Sequence, residues 1–139
     1  MRYHETNITV RFNEIDAYTV AWHGHYVAWM EIGRNALAGQ FELDAFQLKA
    51  AGYLGPVIAL ELKFLRPARF NDELTIQTTL RRTETATLEF FSTIIGPDGR
   101  KLAVGTTTHA LTDSAGVLQF QLPVLIAERV NRLLAWLEV

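Results

Sequence analysis

Along residues 6 to 14, Ile8, Val10 and Phe12 alternate with Thr9, Arg11 and Asn13, the period-2 pattern of a strand that buries one face. The period then lengthens. Tyr26, Trp29, Met30, Gly33 and Leu37 fall at i, i+3, i+4, i+7 and i+11, a single stripe that predicts a long helix running until Gly39. A shorter helix over 44–51 is closed by Gly52. From residue 57 onward the pattern is of strands. VIALELKFL (57–65) is rich in β-formers and stops at Arg66-Pro67, and ELTIQTTLRR (73–82) sets Leu74, Ile76, Thr78 and Leu80 against polar partners. TATLEFFSTII (85–95) leads into the hairpin signal Gly96-Pro97-Asp98-Gly99, so KLAVGTTTHALT (101–112) returns antiparallel beside it. A last strand is expected at 116–120, and Pro123 suits the first turn of a closing helix striped by Val130, Leu133, Leu134 and Leu137.

This order is α+β and not the alternating βαβ of a parallel nucleotide-binding sheet. With one long helix available early in the chain, the simplest packing wraps an antiparallel sheet of five or six strands around it. No repeat or linker interrupts the pattern, so residues 1–139 read as one domain. A chain of this length buries roughly two-thirds of its unfolded surface and needs no staple. It has no cysteine, which removes disulfides, thiolate nucleophiles and Cys-ligated metals together. The N-terminus lacks the apolar core of a signal peptide, and no apolar run approaches the ~20 residues of a membrane span. A cytoplasmic protein without a membrane partner is expected. Net charge is −2 and basic residues cluster no further than pairs, which argues against nucleic acid as a partner.

The candidate chemistry lies in NEIDAYTVAWHGHYVAW (13–29), where Asp16 follows the first strand and His23 and His25 precede or open the long helix. An acid at a strand end commonly makes a local turn; it is also where a carboxylate can face a helix N-terminus. Four groups of residues carry a resemblance: VRFNEID (10–16), A-x-x-x-x-W-H-G-H-Y (17–26), the helix start YVAWMEIGR (26–34), and LELKFLRPARFNDEL (60–74). In this order they resemble the hot-dog-fold acyl-CoA thioesterases of the 4-hydroxybenzoyl-CoA thioesterase type, over roughly residues 6 to 120.

The resemblance implies a curved antiparallel sheet around one long helix, self-association as a dimer or tetramer with sites at the subunit interface, and no cofactor. It makes Asp16 the catalytic carboxylate, as nucleophile or as general base on water. The backbone N–H groups near His23 and Gly24 would polarise the thioester carbonyl, because first-turn amides have no intrahelical partner and carry the positive end of the helix dipole. The His23 ring could also orient Asp16 or the substrate. Tyr18, Trp22, Tyr26 and Trp29 are candidates to line the acyl pocket. Lys63, Arg66 and Arg69, or Arg81 and Arg82, could meet the phosphates of coenzyme A. Glu84-Thr85-Ala86 stands where related enzymes carry a basic triplet, so the carrier could instead be an acyl carrier protein. Many relatives have glycine shortly after the acid, where this chain has Tyr18 and Thr19.

Other polar residues have plainer readings. Glu31 falls off the apolar stripe, on a polar or intersubunit face; His109 sits inside an alternating strand as a structural residue. No third ligand accompanies His23 and His25, so no metal is expected. Two other functions compete: a hot-dog dehydratase or hydratase, whose tighter Asp-x-Asn-Pro-x-His motif is absent, and a non-catalytic acyl-thioester-binding module.

Overall fold

The structure, a computed structural model, describes residues 2–139. Strand β1 (His4–Thr9) is followed by helix α1 (Gly24–Gly39), helix α2 (Ala45–Ala50), the short β2 (Tyr53–Leu54), and the long strands β3 (Val57–Phe64), β4 (Glu73–Arg81), β5 (Thr87–Ile95) and β6 (Lys101–Ala110). The short β7 (Thr112–Asp113) and helix α3 (Val124–Leu137) complete it. The five longer strands form one antiparallel sheet in the order β1-β4-β5-β6-β3, while β2 pairs with β7. This is the hot-dog architecture: a curved sheet with α1 laid across β4, β1 and β5.

The stripe read along α1 is the one that is buried: Tyr26, Trp29, Met30, Gly33 and Leu37 all face inward. The helix joins two apolar clusters. Its first half packs Tyr26, Trp29 and Met30 with Val10, Leu74, Ile76 and Ile94. Its second half brings Leu37 and Ala38 to the cluster in which α3 contributes Ile126, Val130, Leu133, Leu134 and Leu137. Helix α1 can approach the sheet because side chains vanish at two points. A Cβ on Gly33 would stand 2.7 Å from both Ile76 Cγ2 and Thr78 Oγ1, and one on Gly105 would stand 2.6 Å from Met30 Cε.

Two expectations are corrected. The first strand stops at Thr9, and Phe12 is 78% exposed instead of buried. The Arg11 N–H turns to the Glu14 carboxylate at 2.8 Å and the Glu14 N–H to the Arg11 carbonyl at 3.0 Å, so residues 12–14 coil into a 3-10 turn that swings Phe12 out and Glu14 in. No strand forms at 116–120. The Asp113 carboxylate accepts from the Ala115 and Val117 amides, both at 2.9 Å, and Gly116 takes φ +86, so the chain turns back there.

Gly33→Ala should therefore lower the unfolding free energy by about 1–3 kcal/mol through overpacking, although alanine is the better helix former in isolation. Urea denaturation measures this; an unchanged midpoint would show that α1 can lift from β4 without cost.

Candidate active site

Between the 3-10 turn and α1 the chain makes a small closed loop. Ile15 bridges Ala21, the Asp16 N–H donates to the Val20 carbonyl at 3.0 Å, and the Thr19 N–H returns to the Asp16 carbonyl at 3.0 Å. Half-buried Asp16 accepts the Tyr18 N–H on Oδ1 at 2.8 Å, an Asx-turn that fixes the carboxylate. Oδ2 accepts no hydrogen bond among the described residues. Thr19 lies at φ +64, left-handed backbone that a β-branched residue adopts only under strain. Glycine would adopt it freely.

At the start of α1, the Trp22 and His23 carbonyls accept from the His25 and Tyr26 amides. The first-turn donors left without a protein acceptor among the described residues are the amides of His23 and Gly24. The Trp22 ring lies against Gly24, where a Cβ would come within 2.1 Å of it. Its centroid is 4.9 Å from that of His23 and 5.5 Å from that of His25.

Beside this helix start is a groove of about 270 Å³ lined by Val20, Ala21, His23, Tyr26, Phe64 and Arg66, among others. Next to its lining residue Pro67, Ala68 is fully buried. The Ala68 N–H donates to the Tyr26 hydroxyl at 2.9 Å and its carbonyl accepts the Ala21 N–H at 2.8 Å, tying the β3–β4 connection to the helix start. Burial pushes the Tyr26 phenol up, and nearby Asp72 adds to this against the Ala68 hydrogen bond, so it remains a neutral hydroxyl. Phe64 meets the Tyr26 ring edge-on at 5.0 Å.

The structure sorts the residues singled out in the sequence. His23, Tyr26 and Arg66 line the groove, Gly24 opens α1, and Asp16 sits on the loop that precedes it. Tyr18 is 83% exposed at the loop tip, and Trp22 covers the helix start without lining the groove. Trp29 is only 2% exposed and belongs to the core, not to a pocket wall, because its indole N–H is drawn inward to a carboxylate. Lys63 lies on the face of β3 opposite Leu62 and Phe64 by alternation, Arg69 is exposed on the β3–β4 connection, and Arg82 follows the far end of β4, beside α3. Glu31 is exposed and pairs with Arg34 at 3.3 Å.

The residue missed in the sequence is Glu14. It is 4% exposed, and its Oε1 accepts from the Arg11 N–H while Oε2 accepts from Trp29 Nε1 at 3.0 Å. Burial alone would raise its carboxyl, but the Arg11 N–H, the Trp29 indole and the Arg11 guanidinium outweigh this and hold it below the ordinary range. The parity of Ile8 and Val10 gave no signal for it, because the same parity fails at Phe12, where the strand has given way to the 3-10 turn. Another, larger cavity, of about 490 Å³ between β1 and β4, holds Glu73 as its one ionisable lining residue and joins no second catalytic group.

A family model described as the Thioesterase-like superfamily matches residues 10–137. The chain belongs to the Thioesterase-like superfamily. YneP of Bacillus subtilis, provisionally named an acyl-CoA thioesterase, is 24% identical over 113 residues, 81% of this chain and 82% of that protein. The DHNA-CoA thioesterase of Staphylococcus aureus superposes with a TM-score of 0.86 at 18% identity, over 97% of this chain and 93% of that one. SAV2348 of the same organism, solved in complex with CoA, gives a TM-score of 0.84 at 13% identity, over 95% of this chain and 84% of that one. The enzyme class read from the sequence, hydrolysis of thioester bonds, is thus the class for which members of this superfamily are named.

His109 is structural within this thioesterase fold, as the strand pattern suggested: its Nδ1 lies 3.0 Å from the Gly55 carbonyl and its Nε2 3.1 Å from Thr107 Oγ1. Burial pushes its pKa below 6.5, nearby Arg34 pushes the same way, and the Gly55 hydrogen bond and Glu31 oppose them. A depressed histidine binds its proton more tightly when unfolded, so stability is unaffected by it above about pH 7 and declines as pH falls through 6.5. The stability difference between the native chain and His109→Gln should be flat above pH 7. It should shift against the native chain by up to about 1.4 kcal/mol per pH unit below 6.5, as followed by denaturant titrations at several pH values.

Proposed function

We propose that this chain hydrolyses acyl-CoA thioesters at the groove beside the start of α1, with Asp16 as nucleophile or general base and the His23 and Gly24 amides as oxyanion donors. The observation that carries this reading is a carboxylate oxygen without a protein donor at one end of a short loop and, at its other end, two amides without a protein acceptor. As base, Asp16 takes a proton from water while the water oxygen bonds to the carbonyl carbon. The carbonyl electron pair moves onto oxygen, where two fixed donors receive it. Reforming the carbonyl breaks the C–S bond, and the proton on Asp16 passes to the departing thiolate. As nucleophile, Asp16 forms the C–O bond itself as the C–S bond breaks and the thiolate leaves; water then hydrolyses the resulting anhydride, freeing the acid and Asp16 and supplying the proton that the thiolate takes up. A thiolate is a tolerable leaving group, so no strong general acid is required.

Arg66 at the groove and Arg69 nearby would meet the coenzyme A phosphates. A second copy would complete the site. Strand β3 is an edge with one side unpaired, and it exposes Val57, Ile58, Leu60 and Phe64. Long apolar edges of this kind are normally covered, and edge-to-edge joining of two sheets covers it next to the groove that Phe64 lines.

Asp16→Asn should reduce kcat by about 10²–10⁴-fold in a thiol-release assay over short, long and aromatic acyl-CoAs. At His23, φ is −56, which proline adopts without strain. His23→Pro deletes the amide and should cost about 10²–10³-fold, whereas His23→Ala should keep most of the rate; the reverse order would move the role from backbone to ring. The solution mass should be two or four times the 15.7 kDa of one chain, and light scattering that returns a single chain would overturn the intersubunit site.

A further inference from the structure

We infer that Glu14 is a positioning residue for Asp16, holding the carboxylate-bearing loop in register with the start of α1. The inference rests on the reading of Asp16 and the His23 and Gly24 amides as the reacting groups. Glu14 stands two residues before Asp16 and binds three pieces of chain at once. Through Oε1 it holds the Arg11 N–H, at the end of the first strand. Through its own carbonyl it accepts the Trp22 N–H at 2.9 Å, which closes the loop immediately before His23. Through Oε2 it holds the Trp29 indole, one helical turn into the buried face of α1. His25 Nδ1 lies 4.0 Å from the same oxygen and Arg11 Nε 3.5 Å from the other, so cationic and polar hydrogens surround the group.

Glu14 is not itself a reacting group. Both oxygens are engaged, and it does not line the groove. Nor is packing a sufficient account, because an apolar side chain of similar volume would fill the space without desolvating a charge. What an apolar residue lacks is the pair of acceptor oxygens, set apart on one rigid group, that joins Arg11 to Trp29. Asp16 is otherwise joined to α1 by residues 17–23, strained at Thr19, and by the contacts of Ala21 and Tyr26 with Ala68. Catalytic groups tolerate roughly half an ångström of misplacement, and an error near 1 Å costs on the order of 10²-fold in rate.

The experiment breaks the Glu14–Trp29 bond from each side. Glu14→Gln keeps the shape but turns an amide N–H₂ toward one of the two donors, and Trp29→Phe removes the indole N–H together with one ring of a buried side chain, so its loss of stability is measured alongside its kcat. Each should lower kcat by about 10–100-fold with KM changed much less. The double variant should be little worse than the poorer single one, because both act through one bond. Amide hydrogen exchange should accelerate across residues 16–24 and leave β4, β5 and β6 unchanged. If both variants lose thermal stability while the folded enzyme keeps its kcat and its exchange pattern, Glu14 is merely structural and the inference fails. If Glu14→Gln does not fold, Trp29→Phe decides on the same readouts. Should the native chain hydrolyse no acyl-CoA while exchange at 16–24 still responds, the proposed function falls and the positioning contact stands.

Discussion

One helix has to cover the concave side of a five-stranded sheet, and everything else is arranged around how closely it can lie. A side chain at every contact would hold the helix farther from the sheet. Gly33 over Ile76 and Thr78, and Gly105 beneath Met30, let α1 settle closer at two points along its length. The cost is visible at Thr78, whose buried hydroxyl has no hydrogen-bond partner among the described residues. The gain is that the beginning of α1 is fixed against the sheet, and a fixed helix end is a fixed set of amide donors.

From that fixed end the rest of the site is hung. Trp29 is rooted in the core and presents its indole N–H to Glu14; Glu14 closes the loop onto Trp22; the loop carries Asp16. On the other side Tyr26, also rooted, holds Ala68 and through it the chain that brings Arg66 to the groove. Two aromatic residues on consecutive turns of one helix therefore anchor the two walls, each by a polar atom at the tip of an otherwise apolar side chain.

The fold was legible because its signals are periodic. The stripe from Tyr26 to Leu37 and the alternation of Leu74, Ile76, Thr78 and Leu80 follow from element geometry and are the residues that are buried. Phe12 was misread because hydrophobicity argued for burial where a hydrogen bond to the neighbouring carboxylate decided otherwise. The strand expected at 116–120 shrinks to a single bridge between Leu118 and Thr112 for a related reason: Asp113 holds the Ala115 and Val117 amides in a turn. Within the site, the loop and helix start were legible through the motif, but Trp29 and Glu14 were not. Their pairing spans a loop and depends on which way two side chains turn, which no single-residue property encodes. The basic residues dispersed because sequence proximity to a strand end does not say which face or which end of the sheet a cation occupies.

The contacts that hold Ala68 have a consequence for how the protein comes into being. They join residues 21 and 26 to residue 68, far apart along the chain, so the two sides of the groove are not tied together until β3 has been made and its connection to β4 has docked. Closing such separated contacts is the slow, entropy-limited part of folding. A chain whose synthesis has not passed β3 carries Asp16, His23 and Tyr26 yet lacks Phe64 to Pro67, the other side of the groove. The groove is in that sense a property of the finished topology, closed only after the residues that would do the chemistry have been made.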